Sequence, residues 1–162
     1  MSFRRAKQPW SATRRFCVLG WSIYTLGVNV SIRVPKRILE EMIAHARCEP
    51  SIECCGLLAG RDGAITRIFS AANVAENPAT LYEIAPREIF ERMREMRAEG
   101  IELLGVYHSH PNGQNQPSQR DIERAYYSEA AYFIVSPREN GNPVRAFSIR
   151  EGRVEELKIV SF

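Results

Sequence analysis

A short apolar run followed by a tight turn is the feature that most constrains the fold. Residues Cys54 to Ala59 read CCGLLA, which is the length and composition of a buried strand. Gly60-Arg61-Asp62-Gly63 follows, and Asp-Gly is a strong signal for a hairpin turn. Ile65 to Phe69 then returns as a partner strand. We therefore predict an antiparallel strand pair over residues 54–69.

Two segments carry apolar residues at helical spacing. The first is Pro35 to Arg47, where proline suits the first helical turn and the later Pro50 cannot continue the helix. The second is Pro86 to Arg97, ended by Gly100. The side chains predicted to face the core are Ile38, Leu39, Met42, Ile43 and Ala46 in the first helix, and Ile89, Phe90, Met93 and Met96 in the second.

The remaining elements complete one mixed α/β domain. Further strands are predicted at Leu81 to Ala85 and at Ile101 to His110, which Pro111 ends, and a short third helix is predicted from Ser118 to about Tyr127. The closing strands are Ala130 to Val135, Val144 to Ile149 and Val154 to Val160. This order of elements predicts a single α/β domain over residues 31–162.

The first 30 residues differ from the rest in charge. They hold five of the 22 basic side chains and no acid, so the other 17 basic side chains meet 19 acidic ones in the rest of the chain. A basic start followed by the apolar residues 16–30 has the outline of an export signal, but polar residues interrupt the apolar run and no A-x-A site follows it. We expect a poorly ordered extension, or one added by a misassigned start codon, and a cytoplasmic protein; the alternative is an exported one.

Composition excludes several classes of protein. No stretch of 18 apolar residues marks a membrane span, and no basic face of the domain suggests nucleic acid. The four cysteines, Cys17, Cys48, Cys54 and Cys55, form no CxxC pair or disulfide framework. They fit a reducing compartment, with most of them packed as small apolar side chains.

Two histidines at the end of a predicted strand indicate a metal site. His108 and His110 are two residues apart, so both rings project from one face of the strand. Asp121 follows in the first turn of the predicted third helix. Two imidazoles and one carboxylate give three protein ligands for Zn²⁺ and leave a fourth position open, which is typical of a catalytic zinc site.

Each part of this pattern also has a purely structural interpretation. Ser118-Gln119-Arg120-Asp121 matches an N-terminal helix cap, and a His-x-His pair is often two surface histidines. Glu53, just before the buried strand, is either a surface acid or a general base beside the metal. It is the combination of these parts that favours catalysis.

Together these motifs resemble the JAMM/MPN+ (Mov34/MPN/PAD-1) zinc metallopeptidases, in their small prokaryotic form. The family pattern is a glutamate before a Gly-containing strand, then H-x-H-P, a loop and S-x-x-D. It corresponds here to Glu53-Cys54-Cys55-Gly56, His108-Ser109-His110-Pro111 and Ser118-Gln119-Arg120-Asp121. The resemblance covers about residues 31–162. It implies a single mixed sheet flanked by helices, like that of the cytidine deaminases, whose P-C-x-x-C ligands are absent here.

The resemblance also implies a role for each matched residue. His108, His110 and Asp121 would hold one Zn²⁺ per chain. Glu53 would move a proton from the zinc-activated water to the leaving amine, and Ser118 would stabilise the oxyanion. Cys54 and Cys55 are interpreted as packing residues.

The implied substrate is a ubiquitin-like or sulfur-carrier protein, cleaved at a peptide or isopeptide bond at its C-terminus. This follows from the resemblance and from the compact size, which leaves no room for the insertions of larger members. Two alternatives stay open from the sequence. One is a non-catalytic MPN scaffold, and the other is a zinc amidohydrolase that acts on a small molecule.

Overall fold

The computed structural model describes residues 31–138 and 141–162. The predicted extension at residues 1–30 and Cys17 within it lie outside the described residues. In the described part the elements are β1 (Ser31–Val34), α1 (Lys36–Cys48), β2 (Cys55–Arg61), β3 (Ala64–Ala71), α2 (Pro86–Glu99), β4 (Glu102–Ser109), α3 (Gln119–Glu123), β5 (Ala131–Val135), β6 (Val144–Arg150) and β7 (Arg153–Ser161).

All seven described strands belong to one mixed sheet. Their order is β1-β3-β2-β4-β5-β6-β7, and β1 also pairs with β7, so the sheet closes into a ring. The β4–β5 and β1–β7 pairs are parallel, whereas β2 pairs in an antiparallel sense with both β3 and β4. The predicted mixed α/β fold is therefore confirmed.

The predicted hairpin forms between β2 and β3. Asp62 and Gly63 both have positive φ, 54° and 69°, which is the backbone that a two-residue hairpin turn requires. Because strand side chains alternate, Leu58 faces one core while Leu57 and Ala59 face the other.

The two long helices cover opposite faces of the sheet. α1 buries Ile38, Met42 and Ala46, as predicted, in a core that includes Leu58 and Tyr107. α2 adds Met96, together with the partly buried Ile89 and Met93, to a second core that contains Leu57 and Val106. The second core continues to the ends of β2 and β4, where the candidate site residues lie.

The prediction that Phe90 faces inward is wrong. Its side chain is 66% exposed. Consecutive residues of a helix point about 100° apart, so the face formed by Ile89, Met93 and Met96 excludes Phe90.

The prediction of a strand at Leu81 to Ala85 is also wrong. Only one bridge forms there, between Asn73 and Ile84. The Asn73 side chain binds the backbone of Leu81 and Glu83, so these groups need no strand partner. The third helix is shorter than expected and ends at Glu123.

In the described residues no helix is long and apolar enough to cross a membrane. Cys48, Cys54 and Cys55 are free thiols; the latter two are buried as expected, whereas Cys48 is exposed.

Candidate active site

The end of β4 carries both histidines and meets the start of β2. His108 lies in β4, and His110 follows it on the same face. Ser109 donates its backbone N–H to the Cys54 carbonyl at 2.9 Å, so the antiparallel pairing continues to this point. One residue further, Glu53 therefore comes level with His110. The register of the β2–β4 pair is what brings the predicted base beside the predicted ligands.

Three side chains form a compact triangle beside β4. His108 Nε2 lies 3.0 Å from His110 Nε2 and 3.2 Å from Asp121 Oδ1, and His110 Nε2 lies 3.4 Å from Asp121 Oδ2. Three ligands about 2.0–2.1 Å from one zinc ion at tetrahedral angles lie about 3.3 Å from each other. The spacing and the donor types therefore fit Zn²⁺.

The histidine rings are held by different contacts. His110 Nδ1 lies 2.8 Å from the Gln114 carbonyl, which only a ring N–H can donate to, so Nε2 keeps its lone pair for a metal. The His108 ring stacks on Tyr82, with ring centres 4.3 Å apart and planes at 17°. Burial lowers the pKa of His108, which favours the neutral imidazole that a metal needs.

Asp121 acts as a helix cap and as a member of the triangle at the same time. Ser118 caps α3: its Oγ accepts the Asp121 N–H at 3.3 Å, and Asp121 Oδ2 accepts the Ser118 N–H at 2.7 Å. Burial alone would raise the pKa of Asp121, but hydrogen bonds with His108, His110 and Ser118 outweigh it and hold that pKa below its usual range. The cap thus fixes an ionised carboxylate against both rings.

Glu53 is a buried acid outside the ligand triangle, with only 6% of its surface exposed. Burial raises its pKa to about 7, an effect that His110 opposes and Asp121 reinforces. A carboxyl group that titrates near neutral pH can both accept and release a proton there, as a general acid-base catalyst must.

Comparison with known proteins agrees with this arrangement. Residues 35–150 match the prokaryotic homologs of the JAB domain. The chain belongs to this prokaryotic JAB family. The resemblance to JAMM/MPN proteins that the motifs indicated is thereby confirmed.

Two curated relatives of this JAB domain match most of its length. A probable TtuB-protein conjugate cleaving protease of Thermus thermophilus is 36% identical over 127 residues, which are 78% of this chain and 82% of that protein. A CysO-cysteine peptidase of Mycobacterium tuberculosis is 31% identical over 122 residues, or 74% and 83% of the two chains.

Solved structures have the same fold. Protein DSY2949 of Desulfitobacterium hafniense is 34% identical with a TM-score of 0.73, and the match covers 81% of this chain and 92% of that one. The JAB1/MPN domain protein AF2198 of Archaeoglobus fulgidus, 18% identical with a TM-score of 0.55, covers 80% and 98% and shows the fold alone.

Asn73 organises one side of the site of this JAB domain, and no sequence motif marked it. Its Nδ2 donates to the carbonyls of Glu53 at 2.8 Å and Leu81 at 2.7 Å. Its Oδ1 accepts the N–H groups of Ala75 at 3.0 Å and Glu83 at 3.1 Å. One side chain therefore ties Glu53 to the segment that carries Tyr82. Asparagine is common in loops, so its position alone gave no signal.

Two side-chain hydrogen bonds anchor the loop between the H-x-H-P and S-x-x-D motifs. Asn115 is buried and donates to the Asn142 carbonyl at 2.6 Å, and the Ser136 hydroxyl donates to the Gly113 carbonyl at 2.9 Å. Between these anchors, Gln114 presents its carbonyl to His110. The loop thus supports the geometry of the histidine–aspartate triangle as well as connecting β4 to α3.

The two cysteines beside Glu53 take no part in the triangle. Burial raises the pKa of Cys54 to about 11 and that of Cys55 to about 12. Both thiols therefore stay protonated at neutral pH, which disfavours metal binding and agrees with a packing role.

Proposed function

We propose that this JAB domain is a zinc-dependent peptidase or isopeptidase that hydrolyses a bond at the C-terminus of a ubiquitin-like or sulfur-carrier protein. The observation that carries the proposal is the triangle of His108, His110 and Asp121 with Glu53 buried next to it and outside it. Three ligands and a separate acid-base group are what metal-assisted hydrolysis requires.

The proposed metal ligands are His108 Nε2, His110 Nε2 and one oxygen of Asp121. A zinc ion held there would polarise the scissile carbonyl and lower the pKa of a water molecule toward about 7. The chain contributes three ligands, so a fourth coordination position stays open for the reacting groups.

Glu53 is the proposed general base and acid. Its carboxylate accepts a proton from the attacking water and then donates it to the nitrogen of the leaving amine. Burial raises the pKa of this carboxyl group, so it takes up a proton more readily than an exposed acid does, as a general base must.

Ser118 is the proposed oxyanion donor. Its Oγ accepts the N–H of Asp121, which places the hydroxyl beside the proposed metal ligands. During hydrolysis the hydroxyl hydrogen would turn toward the oxygen that gains charge. Donors of this kind typically contribute about 10²- to 10³-fold in rate.

The substrate class rests on the family and its relatives. One relative is named for cleaving a protein conjugate and the other for removing cysteine from CysO. Both names describe cleavage of a bond that joins a small protein to another group. We extend this class to the present chain, with the bond at the carrier's C-terminal glycine.

The first test is metal binding. Native mass spectrometry is expected to find about one zinc per chain in the wild type and in the surface variant Glu123→Ala. Asp121→Ala should lose or weaken it. Asp121→Asn keeps an acceptor for the Ser118 cap and removes only the charge, so a similar loss there separates metal binding from capping. Absence of zinc in wild-type protein to which zinc has been supplied would favour the alternative of a non-catalytic MPN scaffold.

The second test is cleavage. The zinc-loaded protein is incubated with a sulfur carrier that bears cysteine on its terminal glycine, and intact mass is followed. Loss of the added residue supports the proposal, and Glu53→Gln should abolish it. An unchanged mass, with hydrolysis of short free peptides or small amides instead, would favour the small-molecule amidohydrolase.

A further inference from the structure

A cavity of about 290 Å³ lies beside the ligand triangle, on the same side of the sheet. Its floor consists of Leu57, Val106 and Tyr132, which are direct neighbours across β2, β4 and β5. We propose that this cavity binds an apolar side chain of the substrate close to the scissile bond. The inference rests on the proposed peptidase function, and it adds that this cavity determines which substrate side chains are preferred.

The strand register sets the distance between cavity and metal ligands. Val106 precedes His108 by two residues, so both side chains are on one face of β4. At 3.2–3.4 Å per residue, about 7 Å separates the two rows of side chains. An extended substrate advances about 3.3–3.6 Å per residue, so about two substrate residues span this 7 Å. The bound side chain therefore belongs to a residue within about two positions of the scissile bond.

Tyr82 joins the cavity to the site. Its ring stacks on His108, and the same side chain lines the cavity. The cavity and the triangle therefore share Tyr82 as a wall. A side chain that enters the cavity contacts a residue that already touches a proposed metal ligand.

The lining selects for a neutral, apolar occupant. Ile84 and Ile89 add to the aliphatic floor, and the hydroxyl of Tyr132 already accepts the Tyr127 N–H at 2.8 Å. The charged members of the lining are Glu83 and Arg124, and both are exposed at the rim. A charged side chain on the floor formed by Leu57, Val106 and Tyr132 would lose its hydration without meeting an opposite charge there.

The volume matches one side chain. Cavities that bury drug-sized ligands measure about 300–1,000 Å³, so this cavity is at or below the lower limit of that range. It suits a leucine-, methionine- or phenylalanine-sized group and cannot hold a folded element. The occupant is therefore a single residue of an extended substrate segment.

The test uses substrates that vary at one residue. Cleavable conjugates are made with Gly, Leu, Phe or Asp at each of the two positions on either side of the scissile bond. At one of these positions, kcat/KM for Leu or Phe is expected to exceed that for Gly by about tenfold or more, which is the worth of burying such a side chain. Asp at that position should be the poorest substrate.

Variants then locate the selectivity. Ile89→Trp fills the cavity, so the ratio of kcat/KM for the Leu substrate to kcat/KM for the Gly substrate is expected to fall toward one. Tyr126→Ala removes a wall that is 78% exposed, so it changes the ratio with little risk to folding. The matched control is Phe90→Trp, at the next position of α2, where the side chain is exposed and outside the lining. It should keep the wild-type ratio.

A binding measurement separates this proposal from the proposed function. N-acetyl-leucinamide and N-acetyl-glycinamide are titrated into the zinc-loaded protein while the Tyr82 and Tyr132 ring signals are followed by NMR. Saturable shifts with the leucine compound alone, absent in Ile89→Trp, support the cavity even if no conjugate is cleaved. Equal shifts with both compounds, or an unchanged Leu preference in Ile89→Trp, would overturn it.

Discussion

At the residue scale, the site depends on side chains that serve structure and chemistry together. Asp121 closes the cap of α3 and faces both histidines, so the two interpretations of S-x-x-D describe one residue. Glu53 is different, because its burial brings no compensating salt bridge from a described Lys or Arg side chain. A buried acid of this kind reduces stability and is retained where chemistry needs it.

Glu53→Gln should separate chemistry from metal binding. We expect kcat to fall by about 10²- to 10⁴-fold, because the amide cannot accept the proton, while zinc content stays at the wild-type level. Single-turnover rates and native mass spectrometry of the same sample provide the measurement. Loss of zinc in this variant would instead make Glu53 a ligand.

The raised pKa of Glu53 also predicts how stability depends on pH. In the metal-free protein, folding raises this pKa from 4.5 to about 7. Below pH 4.5 both states are protonated, and between 4.5 and 7 the unfolded chain loses its proton first, so the folded state loses stability as pH rises. Above pH 7 the free energy of unfolding stops falling, after a total decrease of up to about 3 kcal/mol.

Denaturant melts of chelated wild type and Glu53→Gln across this range are the check. The variant should gain stability relative to wild type between pH 4.5 and 7, whereas Glu155→Gln, at an exposed position of β7, should not. A difference that is constant with pH would mean that Glu53 is no more buried in solution than an ordinary surface acid.

At the element scale, local patterns predict most of the secondary structure, but they do not predict hydrogen bonds between a side chain and a backbone segment several residues away. The sequence predicts the Asp-Gly turn, the two helices that begin at a proline, and the strand before Pro111, because each has a local signal. The segment at Leu81 was misassigned because Asn73, eight residues away, satisfies its backbone. β1 has four residues, too few for a visible alternation.

Asn73→Ala should therefore weaken catalysis without touching a reacting atom. Loss of its hydrogen bonds to Glu53, Leu81, Ala75 and Glu83 loosens the proposed base, and we expect kcat to fall by about tenfold with unchanged zinc content. Hydrogen exchange at the amides of Ala75 and Glu83 should accelerate. Asn77→Ala, an exposed position in the same segment, is the control. Equal rates in the two variants would contradict the role.

The loop after His110 makes a separate prediction about the metal. Asn115→Ala removes the bond to Asn142 that holds the loop, so the Gln114 carbonyl no longer orients His110 firmly. Zinc affinity should fall by roughly tenfold, as it does when outer partners of metal ligands are lost. Competition with a chelator measures it, and Asn112→Ala, exposed in the same loop, should match wild type.

At the scale of the whole molecule, the strand order of the sheet creates the setting of the site. The pairing of β2 with β4 brings Glu53 to the histidines, and α2 and the segment that follows α3 contribute walls of the adjoining cavity. The spacing of the H-x-H-P and S-x-x-D motifs predicted which residues come together. It could not predict the cavity, because Leu57, Val106 and Tyr132 meet only through the strand order.

Because the proposed ligands come from the end of β4, the residue that follows it and α3, a bound metal would connect elements that are held together only in the folded state. A ligand that binds only the folded state stabilises it by about 2.7 kcal/mol when free zinc is 100-fold above its dissociation constant. For a domain of this size, that corresponds to a rise in Tm of roughly 10 °C. Calorimetry with zinc and with a chelator measures the difference. His110→Ala should remove it, while Glu123→Ala, on the exposed side of α3, should preserve it. An equal Tm in zinc and in chelator for the wild type would mean that the triangle forms without holding a metal, and that its histidines and aspartate serve packing and capping alone.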